Sequence, residues 1–549
     1  MQSLLNHLRN LPTPYLIGAI LVLCIPAHLI NLGVAAFNGD EAIRTWVAME
    51  MDFSGNYIAT TMHGAPYINK PPLFNWMILA VTKMMGGFDE LPSRLVTVFF
   101  LGVFGYTVFR VVRQFFTIEF AFLTAMMTVT SGRFLFYDSM LGLIDTTFSW
   151  VMYLLFMSIY FFGKREQWLR LFLASYGLMA VGFLLKAFPA IVFQGFSLLA
   201  GLYFFGKLKL LFSWKHLAGI FLAAGILVLW LGIYAQYRPL EALIPNLMQE
   251  SVKRTVVEHT LSSTFYHIAK FPFDSLYHFL PYSLLLIFWV DKKMWQRIRS
   301  NEFIWFNFLM LVVNLPVYWT SSQVMSRYLL MFIPLFNIIG LYLLEENRRP
   351  KTWRYKGFFW TLGSLLALSL VIIAAMPFIK EVNWLLGIWP ISLVLTIALV
   401  LVAAMYFIDK ERFLWWFIAG LLVTRIGFDL IVLPVRHHEN KDSIARRDAN
   451  QMVEKHRDRR WYVYADSETR EPAMFYATAR LGYIIERTAR TDIPNALYLV
   501  NLRQYPNFDG KCLDTLRTDY STTTLLLMIN DNDPNDVMAQ MANNDLVTQ

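Results

Sequence analysis

The feature that most constrains this chain is repetition: runs of roughly 20 apolar residues recur along most of its length, separated by short charged loops. A run of that length, wound at 1.5 Å per residue, matches the hydrocarbon thickness of a bilayer. The pattern therefore predicts a polytopic α-helical membrane protein. Composition agrees, since 56% of the 549 residues are hydrophobic and 16% are charged, against about a quarter charged in soluble domains. The spacing predicts about thirteen transmembrane helices, over 15–36, 91–112, 114–131, 140–162, 169–185, 188–206, 216–235, 276–291, 302–320, 326–345, 358–379, 386–408 and 413–434. The first run is long and lacks a small-residue cleavage site, so it reads as a retained span.

Loop charge tests that count. Arg110 and Arg113, then Lys164, Arg165 and Arg170, then Lys207, Lys209 and Lys215 fall in alternate loops, and the alternation continues through Lys292, Lys293, Arg297 and Arg299 to Lys410 and Arg412. Cytoplasmic loops collect Lys and Arg. The N-terminus is thus expected in the cytoplasm and the C-terminus on the outer side. The net charge of +9 is explained by these loops, so no nucleic-acid partner is implied. Cys24 and Cys512 lie in a span and in the distal tail, which leaves no disulfide framework or cysteine metal site to expect.

Two domains are expected. Residues 1–435 form the membrane domain, with outer loops at 37–90 and 236–275. Residues 436–549 form a small soluble α/β domain. In that tail a charged, helical connector at 436–460 precedes the β-rich runs WYVYAD, GYIIERT, NALYLVN and TTLLLMIN, with the helical EPAMFYATARL among them. The tail carries no phosphate loop, metal spacing or nucleophile elbow, and a supporting or acceptor-recognition role is expected for it.

The outer segment 37–76 holds the candidate chemistry: FNGDEAIRTWVAMEMDFSGNYIATTMHGAPYINKPPLFNW. Asp40 and Glu41 open a predicted amphipathic helix lying on the membrane surface. Asp40 reads either as the N-cap of that helix or as a general base held where a lipid-borne substrate meets water. Lys70 precedes two prolines that stiffen the backbone. It reads as a point charge for a lipid phosphate or as a snorkelling interfacial lysine. In SGRFLFYDSMLGLID, Asp138 sits near the loop and Asp145 a little inside the next span, where an ionisable group is costly and defaults to a functional hypothesis. The same reasoning covers Lys186 in LLKAFPA. Arg254 and Arg327 add outer-side cations suited to an anionic leaving group, although each alone is ordinary loop decoration.

These motifs together resemble lipid-dependent glycosyltransferases of the GT-C fold, and within them the aminoarabinose lipid A transferases and protein O-mannosyltransferases. DEAIRTWVAMEM, SGNYI and YINKPPLFNW are similar to the family's first outer loop, with looser support from SGRFLFYDSM, LLKAFPA and SRYLLMFIPLF. The resemblance implies a multi-pass enzyme of the bacterial inner membrane with its C-terminal domain in the periplasm. It would act as a monomer, moving a sugar with inversion from a polyprenyl-phosphate carrier to a glycolipid, glycan or protein acceptor. It implies Asp40 as the catalytic carboxylate, Lys70 as the binder of the carrier phosphate, and Arg254 and Arg327 as further cations of the site; beside these, Glu41 and Asp145 are candidate catalytic carboxylates and Tyr67 and Asp138 candidate substrate-binding residues. Two departures stand out: Asn69 replaces a family Glu and Ser251 a family His, both associated there with zinc. No metal or other cofactor is expected here. Met331 also replaces a family Tyr, which loosens any tie to aminoarabinose. A transporter or flippase and a non-catalytic membrane scaffold are the alternatives. The first needs ionisable residues deep in several spans and broken-helix repeats.

Overall fold

The computed structural model describes residues 2–252, 261–321, 324–348, 351–517 and 524–529. Two compact units emerge. The first comprises residues 1–32, 69–71 and 94–435, and the second 33–68, 72–93 and 436–549.

The first unit is almost wholly helical. Among the described residues of the chain, nine helices are long and apolar enough to cross a membrane: Glu90–Val112, Ile144–Lys164, Trp168–Lys186, Trp214–Ala235, Glu302–Trp319, Ser326–Arg348, Trp353–Phe378, Ile388–Ile408 and Phe413–His438. The chain is a multi-pass membrane protein. The expected thirteen full-length spans are not reproduced, for local reasons. Thr13–Leu29, Ile118–Val129 and Pro189–Phe204 are shorter apolar helices. Ile118–Val129 is short because Thr117 caps it, its hydroxyl accepting the Phe120 N–H, so the apolar Phe115 and Phe116 stay outside the helix. The run expected at 276–291 is split: one helix ends at His278, and a 3-10 stretch takes over at Tyr282–Val290. Pro281 lies between them and has no N–H to give an α-helix.

One close approach inside this unit places the loop at 131–145. Gly132 donates its N–H to the Leu280 carbonyl at 2.8 Å, and a Cβ on residue 132 would lie 2.4 Å from that oxygen. Only glycine lets the two backbones meet this closely.

The second unit is α/β. Its five-stranded sheet runs in the order 487–488, 460–464, 496–500, 524–529, 511–517. The first three strands are parallel and the last two pairings antiparallel. Ala496–Val500 is buried along its whole length, as expected of a central strand covered on both faces. The helix Glu471–Leu481 coincides with the EPAMFYATARL segment, and Lys441–His456 with the charged connector. The strand Lys511–Arg517 was not foreseen.

Residues 33–68 and 72–93 cluster with the C-terminal tail. Phe37, Ala42, Trp46 and Met49 share one apolar core with Ala449, Trp461, Met474, Phe475 and Leu499 of the tail. The helix Gly39–Ser54 is also not a surface-lying amphipath, because it is buried at Glu41, Ala42 and every position from Arg44 to Met51. Its N-cap is Asn38, not Asp40. A hairpin follows, pairing Thr61–Met62 with Ala65–Pro66. His63 and Gly64 at its tip both have positive φ, 57° and 71°, which suits a two-residue hairpin turn.

Candidate functional site

The membrane unit gathers four of the residues singled out from sequence around one carboxylate. Asp145 lies in the first turn of Ile144–Lys164 and Lys186 in the last turn of Trp168–Lys186. Lys186 Nζ lies 2.5 Å from Asp145 Oδ1, and Arg327 Nε lies 3.3 Å from Oδ2. All three side chains are buried. The charge of Lys70 is also felt at Asp145. Lys186 further sits 3.6 Å from the centroid of the Tyr328 ring, a cation–π contact strengthened by desolvation.

Asp138 forms a second pair nearby in sequence. Arg133 grips it in a fork, Nε to Oδ2 at 2.8 Å and Nη2 to Oδ1 at 3.1 Å, while its guanidinium carbon stands 4.1 Å over the Tyr137 ring. Burial pushes the Asp138 carboxyl up to about 6, against the opposing pull of Arg133.

Arg133 and Arg327 both line a polar cavity of about 670 Å³, together with His267, Lys270 and His278. Next to it is an apolar cavity of about 270 Å³ whose walls include Trp289, Trp319, Phe332 and Phe336. Phe271, Ser275 and Leu329 belong to both linings, so the two lie side by side. A polar cavity beside an apolar one suits a molecule with an anionic head and an apolar tail.

Asn69, where the resembled family carries Glu, accepts a 3.0 Å bond from the Asn246 amide. Among the described residues no three His, Cys, Asp or Glu side chains converge. Arg254 lies outside the described residues.

In the α/β unit, Asp40 is exposed and Glu41 buried, both in the first turn of Gly39–Ser54, where the helix dipole favours negative charge. Tyr67 is buried, with Arg44 over its ring at 5.6 Å. Its backbone N–H donates to the Thr60 carbonyl at 2.8 Å. These contacts make Tyr67 a buttress of the loop.

Sequence reasoning overlooked two polar nodes in this unit. Glu50 accepts bonds from the Thr61 hydroxyl at 2.7 Å and from the His63 and Gly64 N–H groups at 2.7 and 3.1 Å. His63 meets the Ile485 carbonyl and the Thr469 hydroxyl through its two ring nitrogens. The second node joins Phe37, Tyr476, Glu90 and Arg446. The only signal of the first was a histidine beside a glycine in a short turn; the second left none.

The fold is that of the GT-C class of membrane glycosyltransferases. Residues 69–231 match the family model for dolichyl-phosphate-mannose-protein mannosyltransferase. ArnT from Cupriavidus metallidurans bound to undecaprenyl phosphate superposes with a TM-score of 0.69, at 17% identity over 95% of this chain and 99% of that one. The same transferase in the apo state gives 0.64, at 14% identity over 93% and 97%. An uncharacterized protein of Aquifex aeolicus (strain VF5) is 25% identical over 368 residues, 64% of this chain and 68% of its own.

Proposed function

We propose that this chain is a polyprenyl-phosphate-dependent glycosyltransferase that delivers a sugar to an acceptor on the outer face of the bacterial inner membrane, with inversion at the anomeric carbon. The carrying observation is a polar cavity lined by Arg133, Lys270, Asp274 and Arg327 beside an apolar one. Lys186 and Arg327 crowd one buried carboxylate, Lys70 adds its charge there, and Arg327 also lines the polar cavity that adjoins the apolar one. A lipid phosphate needs both halves: cations for the head, hydrocarbon for the tail. The structural relative crystallised with undecaprenyl phosphate is consistent with this choice of carrier.

In this reading the polyprenyl phosphate is the leaving group, and Lys70, Arg327 and Lys186 stabilise the charge that grows on it as the glycosidic bond breaks. Asp145 holds Lys186 and Arg327 in place. With both oxygens engaged by cations, it is better suited to that task than to taking a proton. Asp40, exposed at a helix N-terminus, is the proposed general base for the acceptor hydroxyl. The assignment rests on the resemblance of its loop. The acceptor is a glycolipid, envelope glycan or protein hydroxyl. A transporter reading gains little from the buried Arg425–Asp429 pair, because the two residues satisfy each other one turn apart on a single helix at 2.8 Å.

The test is sugar transfer or release from labelled polyprenyl-phosphate sugar by the purified protein. A flippase or scaffold gives none. Asp40→Asn should abolish turnover while the protein stays folded, and near-normal turnover would remove Asp40 from the mechanism. Lys70→Ala should raise the apparent KM for the carrier, and an unchanged value would remove Lys70 from the phosphate site.

A further inference from the structure

The α/β unit contains a buried chain of hydrogen bonds that ends on the backbone just before Asp40. Tyr476, on the helix Glu471–Leu481, accepts the Phe37 N–H at 2.8 Å and donates its own proton to Glu90 Oε1 at 2.6 Å. Arg446 Nη1 bonds the same Glu90 oxygen at 2.8 Å. Phe37, Tyr476 and Glu90 are all buried. The Phe37 ring meets Phe475 edge-on at 4.7 Å and stacks on Tyr476 at 6.2 Å.

The order of donors fixes the roles. Glu90 Oε1 accepts from both the Arg446 guanidinium and the Tyr476 hydroxyl. It takes the Tyr476 proton and leaves an oxygen lone pair for Phe37. Burial, reinforced by the Glu90 charge, raises the Tyr476 hydroxyl well above its ordinary range, so it remains a donor throughout the physiological range.

We infer that Tyr476 is a positioning residue for the proposed base: by pinning the backbone at Phe37, it sets where the first loop presents Asp40. The inference rests on the assignment of Asp40 made above. Only Asn38 and Gly39 lie between the pinned residue and Asp40. Asn38 is extended, and Gly39, at φ +34°, already begins the helix. So short a connection has little slack to absorb a displaced anchor, and catalytic geometry is sensitive to shifts of about 1 Å. The C-terminal region thereby gains a part in the chemistry, although its own sequence holds no catalytic motif.

Tyr476→Phe in the full-length chain removes one oxygen and keeps the ring packing. Turnover number should fall about tenfold or more, while the apparent KM for the carrier stays near wild type. Hydrogen exchange in the peptide covering residues 37–41 should quicken. In an Asp40→Asn background the substitution should cause no further loss. Glu90→Ala, which reaches the same hydroxyl from its other side, should show the same split between turnover number and KM, and it decides the question if Tyr476→Phe does not fold. Wild-type turnover in a folded variant, or a lowered melting temperature alone, would overturn the inference. Turnover retained by Asp40→Asn would instead overturn the assignment of the base, so the two failures are distinguishable.

Discussion

Lys186 Nζ and Asp145 Oδ1 lie 2.5 Å apart, joining the end of one membrane helix to the start of another, with Arg327 Nε 3.3 Å from the second Asp145 oxygen. Removing one partner of a buried pair costs about 3–5 kcal/mol, because the other charge is left without compensation. The two removals are not equivalent here. Lys186→Met leaves Asp145 still facing Arg327, whereas Asp145→Asn leaves two cations facing each other in a poor dielectric. Melting temperatures in detergent should therefore fall in the order wild type, Lys186→Met, Asp145→Asn. The double variant should melt above the sum of the two losses. An Asp145→Asn protein as stable as wild type would show that the pair does not hold these helices.

The first turn of Ile144–Lys164 shows what could be read in advance and what could not. An aspartate just inside an apolar run is costly wherever the run lies, so Asp145 and Lys186 stood out from sequence alone. That they pay each other's desolvation across 41 residues of sequence is a tertiary fact with no local trace. The tail divides in the same way. EPAMFYATARL has helical periodicity and WYVY strand periodicity, and both became those elements. KCLDTLR mixes polar and apolar residues and becomes a strand through pairing with 524–529. Asp40 looked like a cap because Asp after Gly favours helix starts, yet Gly39 is itself helical and the cap moves back to Asn38. Glu50 and His63 do not stand out in the sequence, because nothing local reveals that His63 meets Thr469 and Ile485 of the tail.

His63 gives the α/β unit a definite response to acid. Burial lowers its folded-state value to about 3 from an ordinary 6.5, and the neighbouring Arg487 charge acts in the same direction. The unfolded chain takes up a proton near 6.5 while the native chain refuses it until about 3. The stability tied to neutral His63 is thus fully present above 6.5 and lost progressively as pH falls from 6.5 toward 3. Glu50, raised chiefly by burial, contributes with the opposite sign, so the clean measurement is a difference. His63→Asn keeps a donor for the Ile485 carbonyl and removes the titration. Denaturant unfolding from pH 7.5 to 4.5 should show a flatter decline for the variant than for wild type. Parallel curves would mean that His63 titrates normally in the folded state.

The junction between the two cavities offers a test of the carrier's tail, separate from its phosphate. Phe271, Ser275 and Leu329 line both cavities, so bulk added there would obstruct a carrier that places its head in one and its tail in the other. Ser275 is the residue to enlarge. Its helix, Leu261–His278, contains an internal proline, Pro272, and a half-buried serine has fewer core contacts to lose than Phe271 or Leu329. Ser275→Trp should raise the apparent KM for a long-chain polyprenyl-phosphate sugar by about tenfold, the equivalent of roughly 1.4 kcal/mol of lost burial. A short-chain, water-soluble analogue reaches the cations around Arg327 without threading the slot, so its KM should change little. Equal losses for both donors would mean that the substitution disturbs the head-group chamber itself. No loss for either would place the hydrocarbon tail somewhere other than this slot.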